Sequence, residues 1–449
     1  MPLRAPRIRR PALCERRDDA VLLVWDDPPY WVVVDREAGE LLLSLDGTRT
    51  ISEDARRQLA MVLDDTERLG ILVDSAVAFP EPMPYPEPLL ENISINITRQ
   101  CNLRCTFCYL LPDLQRRSAL GGEVEAEDVA GFIGRSAPIR QHGTSVTILG
   151  GEPLLARDKV VAIAKACHKL DLPCLVSTNG LLVDDDFADA ARNASLEVQV
   201  SIDGARPETH DAIRGTGTFA KALAATRRLV SRGARTVLSM VCHAGNVGEL
   251  EDFLELARCH GVKDARFIPL KRMGGGAAHG PVAWGQLLEA ASDVFSRKPH
   301  LRSASCRDAI SILAAACGRS CRRASCGTGC QTLLIDADGS VYPCLNTARP
   351  ELRLGNLREP GFDPIAMWRS EQLDRYRRET AVDAVEGCAA CEVRHWCLGG
   401  CRGECLELAG RLTHPPWNCE DLKRSIVEMF WLLSSDPSWN AGGDAACRG

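Results

Sequence analysis

Cys101-Asn-Leu-Arg-Cys105-Thr-Phe-Cys108 places three thiols within eight residues, at spacings C-x3-C-x2-C. A loop that short can present three thiolates to one corner of a cubane iron–sulfur cluster. Such a cluster takes four ligands, so one iron is left open to an exogenous chelator. A zinc knuckle short of its fourth ligand is the competing use of these residues. A second, denser field runs from Cys306 to Cys419: Cys326-Gly-Thr-Gly-Cys330, then Cys344, then Cys388-x2-Cys391-x5-Cys397-x3-Cys401, and finally Cys419. Eight thiolates satisfy two [4Fe-4S] clusters, whereas the C-x2-C spacing would equally suit zinc ribbons. With 21 cysteines against 9 histidines, thiolate-rich sites are favoured. Cys167, Cys174, Cys242 and Cys259 stand singly in apolar segments and read as small buried hydrophobes.

The surrounding composition is that of a globular protein, with 45% hydrophobic and 25% charged residues in 449. A formal net charge of -6 argues against a nucleic-acid binder that works by bulk charge. No apolar run approaches a membrane span, and the basic stretch from Met1 to Arg17 lacks the apolar core of a secretory signal. The expectation is a cytoplasmic protein in which thiols stay reduced, so that patterned cysteines bind metal.

These residues need elements to hold them. Within residues 1–78, Val21–Trp25 and Tyr30–Val34 read as a hairpin around Asp-Asp-Pro-Pro, and Glu37–Leu45 and Ser52–Leu69 read as helices. The alternating prolines of Phe79–Pro88 make a semi-rigid linker, taken as residues 79–90. From residue 91 to about 270, strands alternate with helices. The strands are expected at Asn92–Ile97, Ser145–Leu149, Pro173–Ser177, Leu196–Ser201, Thr236–Cys242 and Ala265–Leu270. Six βα repeats imply a parallel sheet curved into a partial (β/α)6 barrel, with functional residues at the strand C-termini. The three-cysteine loop follows the first of these strands. Met273–Gly280 reads as a flexible connection, Trp284–Phe295 and Leu422–Leu433 as helices, and residues 434–449 as a flexible tail.

The C-x3-C-x2-C loop after a first barrel strand resembles the signature of the radical S-adenosylmethionine (SAM) superfamily. Phe107 stands where members carry an aromatic near the adenine. Gly150-Gly151-Glu152-Pro153, ending the second strand, matches the element that binds the methionine amino group. Ser177-Thr-Asn179-Gly and Ser201-Ile-Asp203-Gly, ending strands three and four, match positions near the ribose and carboxylate, and Arg214 matches an arginine beside the SAM carboxylate. The resemblance implies a [4Fe-4S] cluster on Cys101, Cys105 and Cys108 whose open iron chelates SAM. One-electron cleavage then yields a 5'-deoxyadenosyl radical that abstracts a substrate hydrogen, the cofactor carrying the difficult step. A ferredoxin or flavodoxin-type donor would supply the electron.

Residues 301–433 resemble the SPASM domain, an auxiliary-cluster extension of radical SAM enzymes that modify peptides; residues 91–300 would then be the radical SAM core. By that resemblance one auxiliary [4Fe-4S] cluster uses Cys326, Cys330, Cys344 and Cys401, and the other Cys388, Cys391, Cys397 and Cys419. One departure stands out: Cys330 and Gly339 are separated by eight residues, one fewer than the usual minimum. If Cys330 is not a ligand, an iron is left open. Cys306, Cys317, Cys321 and Cys405 have no assigned role.

Residues 1–78 resemble the winged-helix-like PqqD element that binds leader peptides by strand addition, with Tyr30–Asp35 as the candidate edge. The expected partner is therefore a precursor peptide carrying a leader sequence, and the expected product a carbon–carbon or thioether crosslink, with epimerisation or decarboxylation of the peptide as alternatives. Sulfatase maturases usually carry Asp after the third cysteine of the first auxiliary cluster, where this chain has Leu345. A haem-precursor decarboxylase is the rival with a different substrate, and an iron–sulfur electron carrier the rival without catalysis.

Overall fold

A computed structural model describes residues 5–110, 122–304 and 307–440. The N-terminal unit comprises β1 (Pro6–Ile8), β2 (Leu13–Arg17), β3 (Ala20–Asp26), β4 (Pro29–Asp35), α1 (Arg36–Leu43), α2 (Glu53–Gln58), α3 (Ala60–Arg68) and β5 (Leu72–Asp74). The expected hairpin is the β3–β4 pair of an antiparallel β2-β3-β4 sheet, and β1 pairs with β5. Asp35 and Ser52 start α1 and α2 as N-caps, accepting from the amides of Ala38 and Ala55. The expected continuous helix over Ser52–Leu69 is broken at Leu59, whose φ of -101° and ψ of 14° are not helical.

The parallel sheet follows as expected. Its strands are β6 (Leu90–Asn96), β7 (Arg140–Leu149), β8 (Cys174–Thr178), β9 (Glu197–Ser201), β10 (Arg235–Cys242) and β11 (Asp264–Pro269). Helices α4 (Ala126–Arg135), α5 (Arg157–Lys169), α6 (Asp185–Asn193), α7 (Pro207–Arg214), α8 (Thr218–Ser231) and α9 (Leu250–Cys259) alternate with them, α7 being an addition the sequence pattern did not reveal. Alternation along each strand sorts the side chains. Ile93, Ile95, Val146, Ile148, Val176, Val198 and Val200 join one continuous apolar core. Their neighbours Ser177, Gln199, Ser201 and Ser239 line a cavity instead.

The sheet does not stop at six strands. After α10 (Trp284–Arg297) and α11 (Ala309–Cys317), β12 (Thr332–Ile335) pairs in parallel with the edge of β6, from Thr332 opposite Asn92 to Ile335 opposite Ile95. β13 (Ser340–Tyr342) and β14 (Gly355–Asn356) extend it to nine strands. Gly339, at φ +84°, makes the turn between β12 and β13. The remaining helices are α12 (Pro364–Trp368), α13 (Glu371–Thr380), α14 (Arg394–Cys397), α15 (Arg402–Ala409) and α16 (Cys419–Ser435).

Strand β3 couples the N-terminal unit to this body. Val21, Leu23 and Trp25 belong to the unit's own core, whereas Leu22 and Val24, on the opposite face, belong to the main core. Trp31 stacks on Phe430 of α16 at 4.9 Å and donates to the Cys317 carbonyl.

Three expectations require correction. Met273–Gly280 is not a loose connection: Gly275 donates to the Cys108 carbonyl at 2.9 Å, and a Cβ on Gly274 would lie 2.4 Å from the Tyr109 oxygen. Glycine lets this segment close on the three-cysteine loop. The stretch from residue 434 is ordered as far as Asn440, with Trp439 packed on Phe295 and beneath Arg302; residues 441–449 lie outside the described residues, as does Cys306. Cys259 is exposed at the end of α9, unlike buried Cys167, Cys174 and Cys242. Among the described residues, no helix is long and apolar enough to cross a membrane.

Candidate functional site

The segment after β6 turns sharply because its backbone is pinned by the end of β7. Gly151 and Glu152 donate to the carbonyls of Thr98 and Gln100 at 2.8 and 2.7 Å. A Cβ on Gly151 would sit 2.0 Å from the Gln100 oxygen, and one on Gly150, at φ +142°, 2.5 Å from the Thr98 oxygen. Only glycine fits this crossing. It fixes the loop that carries Cys101, Cys105 and Cys108, all three of which line one cavity of about 380 Å3.

The other walls come from successive strand ends. Glu152 is buried and its carboxylate accepts from Thr178 Oγ1 at 2.6 Å, Asn179 N at 2.8 Å and Leu154 N at 3.0 Å. Burial raises its pKa, opposed by those hydrogen bonds and by Arg214. Glu152 thus spends its acceptors mainly on the protein, tying the β7 end to the β8 end. Asn179 reaches back to Asn102 Oδ1 at 2.7 Å. Asp203 is fully buried, forms an ion pair with Arg214 and accepts from Val241 N at 3.0 Å. Arg214 comes from α7 and lies within electrostatic reach of Cys105 and Cys108. Burial pushes the Cys105 thiol up to about 11, with Arg214 acting in the opposite direction.

Phe107, Gly150, Gly151, Glu152, Ser177, Asn179, Ser201, Asp203 and Arg214 therefore share the cavity with the three cysteines, whereas Pro153 is buried in the turn that follows Glu152 and is not on the wall. Phe107 meets the edges of His243 and His279, which the sequence reading did not single out. Also unforeseen are Tyr109, Met273 and Lys271 on the cavity wall, which Leu345 joins. The β12–β13 turn brings Leu345 there, a placement that depends on the unanticipated pairing of β12 with β6.

A second cavity, of about 430 Å3, holds Cys326, Cys344, Cys397 and Cys401. It shares Pro269, Leu270, Lys271 and Asn346 with the first, so these residues form the partition between the two. Lys271 has accessible surface yet lies deep among protein atoms, so that surface opens onto the cavities. The Cys401 thiolate is the main cause of a raised Lys271 pKa. Cys344 is pushed up to about 11 by burial, then by Cys326, with a further contribution from Cys401. Cys397 is pushed up to about 12 by burial, then by Cys388, Cys391 and Cys419. The cysteines expected in each auxiliary set thus lie near one another, and Cys397, expected in the second set, also lines the cavity of the first. Cys330 is absent from the cavity wall and lies beside Ser325 and Arg377, though still within electrostatic reach of Cys326. Cys317 is buried in α11 and Cys405 in α15.

The donor set suits iron–sulfur chemistry: thiolates predominate, and a small-residue backbone cradle flanks the three-cysteine loop. Comparison with known proteins agrees. Residues 95–257 match the Radical SAM superfamily, and residues 326–392 match SPASM, an iron-sulfur cluster-binding domain. The chain is similar to the mycofactocin maturase MftC of Mycobacterium ulcerans (strain Agy99), 32% identical over 316 residues that span 68% of this chain and 81% of that protein. It is also similar to the AdoMet-dependent heme synthase of Methanosarcina barkeri (strain Fusaro / DSM 804), 27% identical over 338 residues, 71% of this chain and 93% of that protein. Among solved structures, anSMEcpe with bound AdoMet and Cp18Cys peptide matches with a TM-score of 0.63 at 19% identity, over 79% of this chain and 100% of that one. Streptococcus suis SuiB bound to precursor peptide SuiA matches with a TM-score of 0.59 at 14% identity, over 91% of this chain and 100% of that one. Both structural likenesses concern the fold.

Proposed function

The chain belongs to the radical SAM enzymes that carry a SPASM domain, and from that premise we propose that it matures a ribosomally made precursor peptide by forming a carbon–carbon or thioether crosslink. The observation that carries this reading is the shared partition: the chamber with Cys101, Cys105 and Cys108 adjoins the cavity with the second cysteine field through Leu270, Lys271 and Asn346.

In this reading Cys101, Cys105 and Cys108 hold a [4Fe-4S] cluster. When bound, that cluster and SAM supply a 5'-deoxyadenosyl radical able to remove a hydrogen atom from the peptide. The protein's own residues position and exclude. Gly150 and Gly151 give the methionine portion close access to backbone. Arg214, oriented by Asp203, turns its remaining donors to a carboxylate, Ser177 and Ser201 offer hydroxyls to the ribose, and Phe107 packs against the adenine. Glu152 and Asn179 hold these strand ends in register. Cys326, Cys344 and Cys401, with or without Cys330, hold one auxiliary cluster, and Cys388, Cys391, Cys397 and Cys419 hold another. A ferredoxin or flavodoxin-type protein delivers the electron.

Residues 1–78 capture the leader, with β4 as the edge to which it adds. β4 pairs with β3 on one side, and among the described residues no strand pairs with its other side. That edge favours a peptide over a tetrapyrrole, as does likeness to a protein named a maturase. Leu345, an apolar residue on the chamber wall, offers no base where sulfatase maturases usually place Asp, which disfavours formylglycine formation.

The test is anaerobic incubation of the iron-loaded enzyme with SAM, a reductant and the peptide encoded by a neighbouring small reading frame. A crosslink appears as a peptide mass lower by two hydrogens, with fragmentation blocked between the joined residues. Unchanged peptide together with decarboxylation of a haem precursor would overturn the proposal.

A further inference from the structure

Arg402 is among the largest fully buried side chains, at 1% exposure. Its Nη1 donates to the carbonyls of Leu412 and His414 at 2.6 and 3.0 Å. Its Nε and Nη2 find no oxygen or nitrogen acceptor, the Cys405 sulfur being the further group within hydrogen-bonding reach of the guanidinium, and no ion pair joins it to a carboxylate among the described residues. A guanidinium cannot discharge itself by losing a proton at physiological pH, so this charge persists in the interior. A buried cation with neither carboxylate nor full hydrogen bonding carries a desolvation penalty that some anion must offset.

The surroundings identify that anion. Arg402 immediately follows Cys401, and both line the second cavity with Cys326, Cys344 and Cys397. Cys405 and Cys388 are close enough for the guanidinium to favour their thiolates, against the opposing effect of burial. Gly399, at φ +71°, leaves room for it: a Cβ there would come within 3.0 Å of Nη2. An iron–sulfur cluster held by thiolates is an anion, and it becomes more negative on reduction.

We propose that Arg402 is the counter-cation of the auxiliary iron–sulfur centre it faces, held by the Leu412 and His414 carbonyls so that Nε and Nη2 remain available to cluster or thiolate sulfur. A fixed positive charge stabilises the reduced cluster over the oxidised one and raises its reduction potential. The inference rests on the reading of this cysteine field as cluster-binding.

The test is redox titration of the iron-loaded full-length enzyme followed by electron paramagnetic resonance, with iron content determined on the same samples. Arg402→Met removes the charge at similar length, and Arg402→Lys keeps it. The Met variant is expected to retain its clusters with an auxiliary midpoint at lower potential than wild type, while the SAM-cluster signal stays in place. The Lys variant should keep full iron and a midpoint close to wild type. An unmoved midpoint in a fully loaded Met variant would overturn the proposal. Should Met fail to fold or load, Lys decides: loss of its clusters, or a clear fall in midpoint, rejects the counter-cation role. Wild-type enzyme with iron for the SAM cluster alone would instead reject the cluster reading itself.

Discussion

Arg99 Nη2 lies 2.6 Å from Asp336 Oδ2, joining the segment that leads into Cys101 to the turn between β12 and β13. Asp338 reinforces the pair at 3.0 Å, and Asn96 Nδ2 donates to Asp336 Oδ1 at 3.0 Å. The three-cysteine loop and the second cysteine field are therefore mechanically coupled. Asp336→Ala leaves a largely buried guanidinium and an amide short of an acceptor, and should destabilise the iron-loaded enzyme by about 2 kcal/mol. Asp338→Ala, at a more exposed partner, should cost less. Denaturant unfolding of the two variants measures the difference.

Glu152 receives donors from three groups, and Gln can offer only one oxygen. Glu152→Gln turns an amide donor towards Thr178, Asn179 or Leu154, all of which already donate. The β7 and β8 ends should separate slightly, weakening SAM binding by roughly tenfold, or about 1.4 kcal/mol. Cluster content should not change, because Glu152 carries no thiol and the cysteine loop keeps its backbone bonds. Equilibrium binding of SAM, with iron determination alongside, checks both expectations.

The strand ends were legible in the sequence because β-period alternation and glycine punctuation are local signals. Gly150-Gly151, Asn179-Gly180 and Asp203-Gly204 mark three consecutive ends without reference to the rest of the chain. The extension of the sheet by β12, and with it the route by which Leu345 reaches the chamber wall, were not legible. Both depend on pairing between segments more than two hundred residues apart, as in the match of Thr332 with Asn92. Gly274–Gly276 misled for a related reason: glycine marks both a free linker and a backbone that must pass close to another, and only the contact with Cys108 and Tyr109 separates the two.

His210 gives the core an acid sensitivity. It is buried, its Nδ1 accepts from Asp203 N at 3.1 Å, and burial, then Arg214, lower its pKa to about 4. The unfolded residue titrates near about 6.5. Between those values the unfolded chain binds more protons, so stability is fully present above the unfolded pKa and falls as pH drops towards the folded one. The loss should approach about 3 kcal/mol. His210→Gln, which keeps an acceptor for Asp203 N, should flatten the pH dependence of unfolding midpoints measured between about pH 7.5 and about pH 5. An unaltered slope would place the acid sensitivity elsewhere.

Val33 tests leader capture without deleting the unit. In the β3–β4 ladder Arg36 N donates to Asp19 O, which sets the alternation so that the Val33 amide points away from β3. Val33→Pro removes one donor from the outer edge and leaves the hairpin bonds intact, a position at which strands tolerate proline. If a leader adds as a strand to β4, its affinity should fall by roughly tenfold or more, with iron content unchanged. Fluorescence anisotropy with a labelled leader peptide reads the effect, and undiminished binding would place capture on another surface.

Cys330 differs in placement from the other cysteines of its group. Cys326, Cys344 and Cys401 line a common cavity, whereas Cys330 lies outside that wall, beside Ser325 and Arg377 and within electrostatic reach of Cys326. A thiol that is not a ligand can be replaced by a hydroxyl with little effect on the cluster, whereas loss of a true ligand from a three- or four-thiolate set usually empties the site. Cys330→Ser should therefore retain the wild-type iron content, about twelve per chain for three [4Fe-4S] clusters. Cys344→Ala should lose about four. Anaerobic reconstitution followed by iron and sulfide determination distinguishes the two. Loss of a cluster from Cys330→Ser would mean that cluster assembly draws Cys330 into the ligand set, making the first auxiliary centre fully thiolate-ligated and leaving it no open iron for substrate.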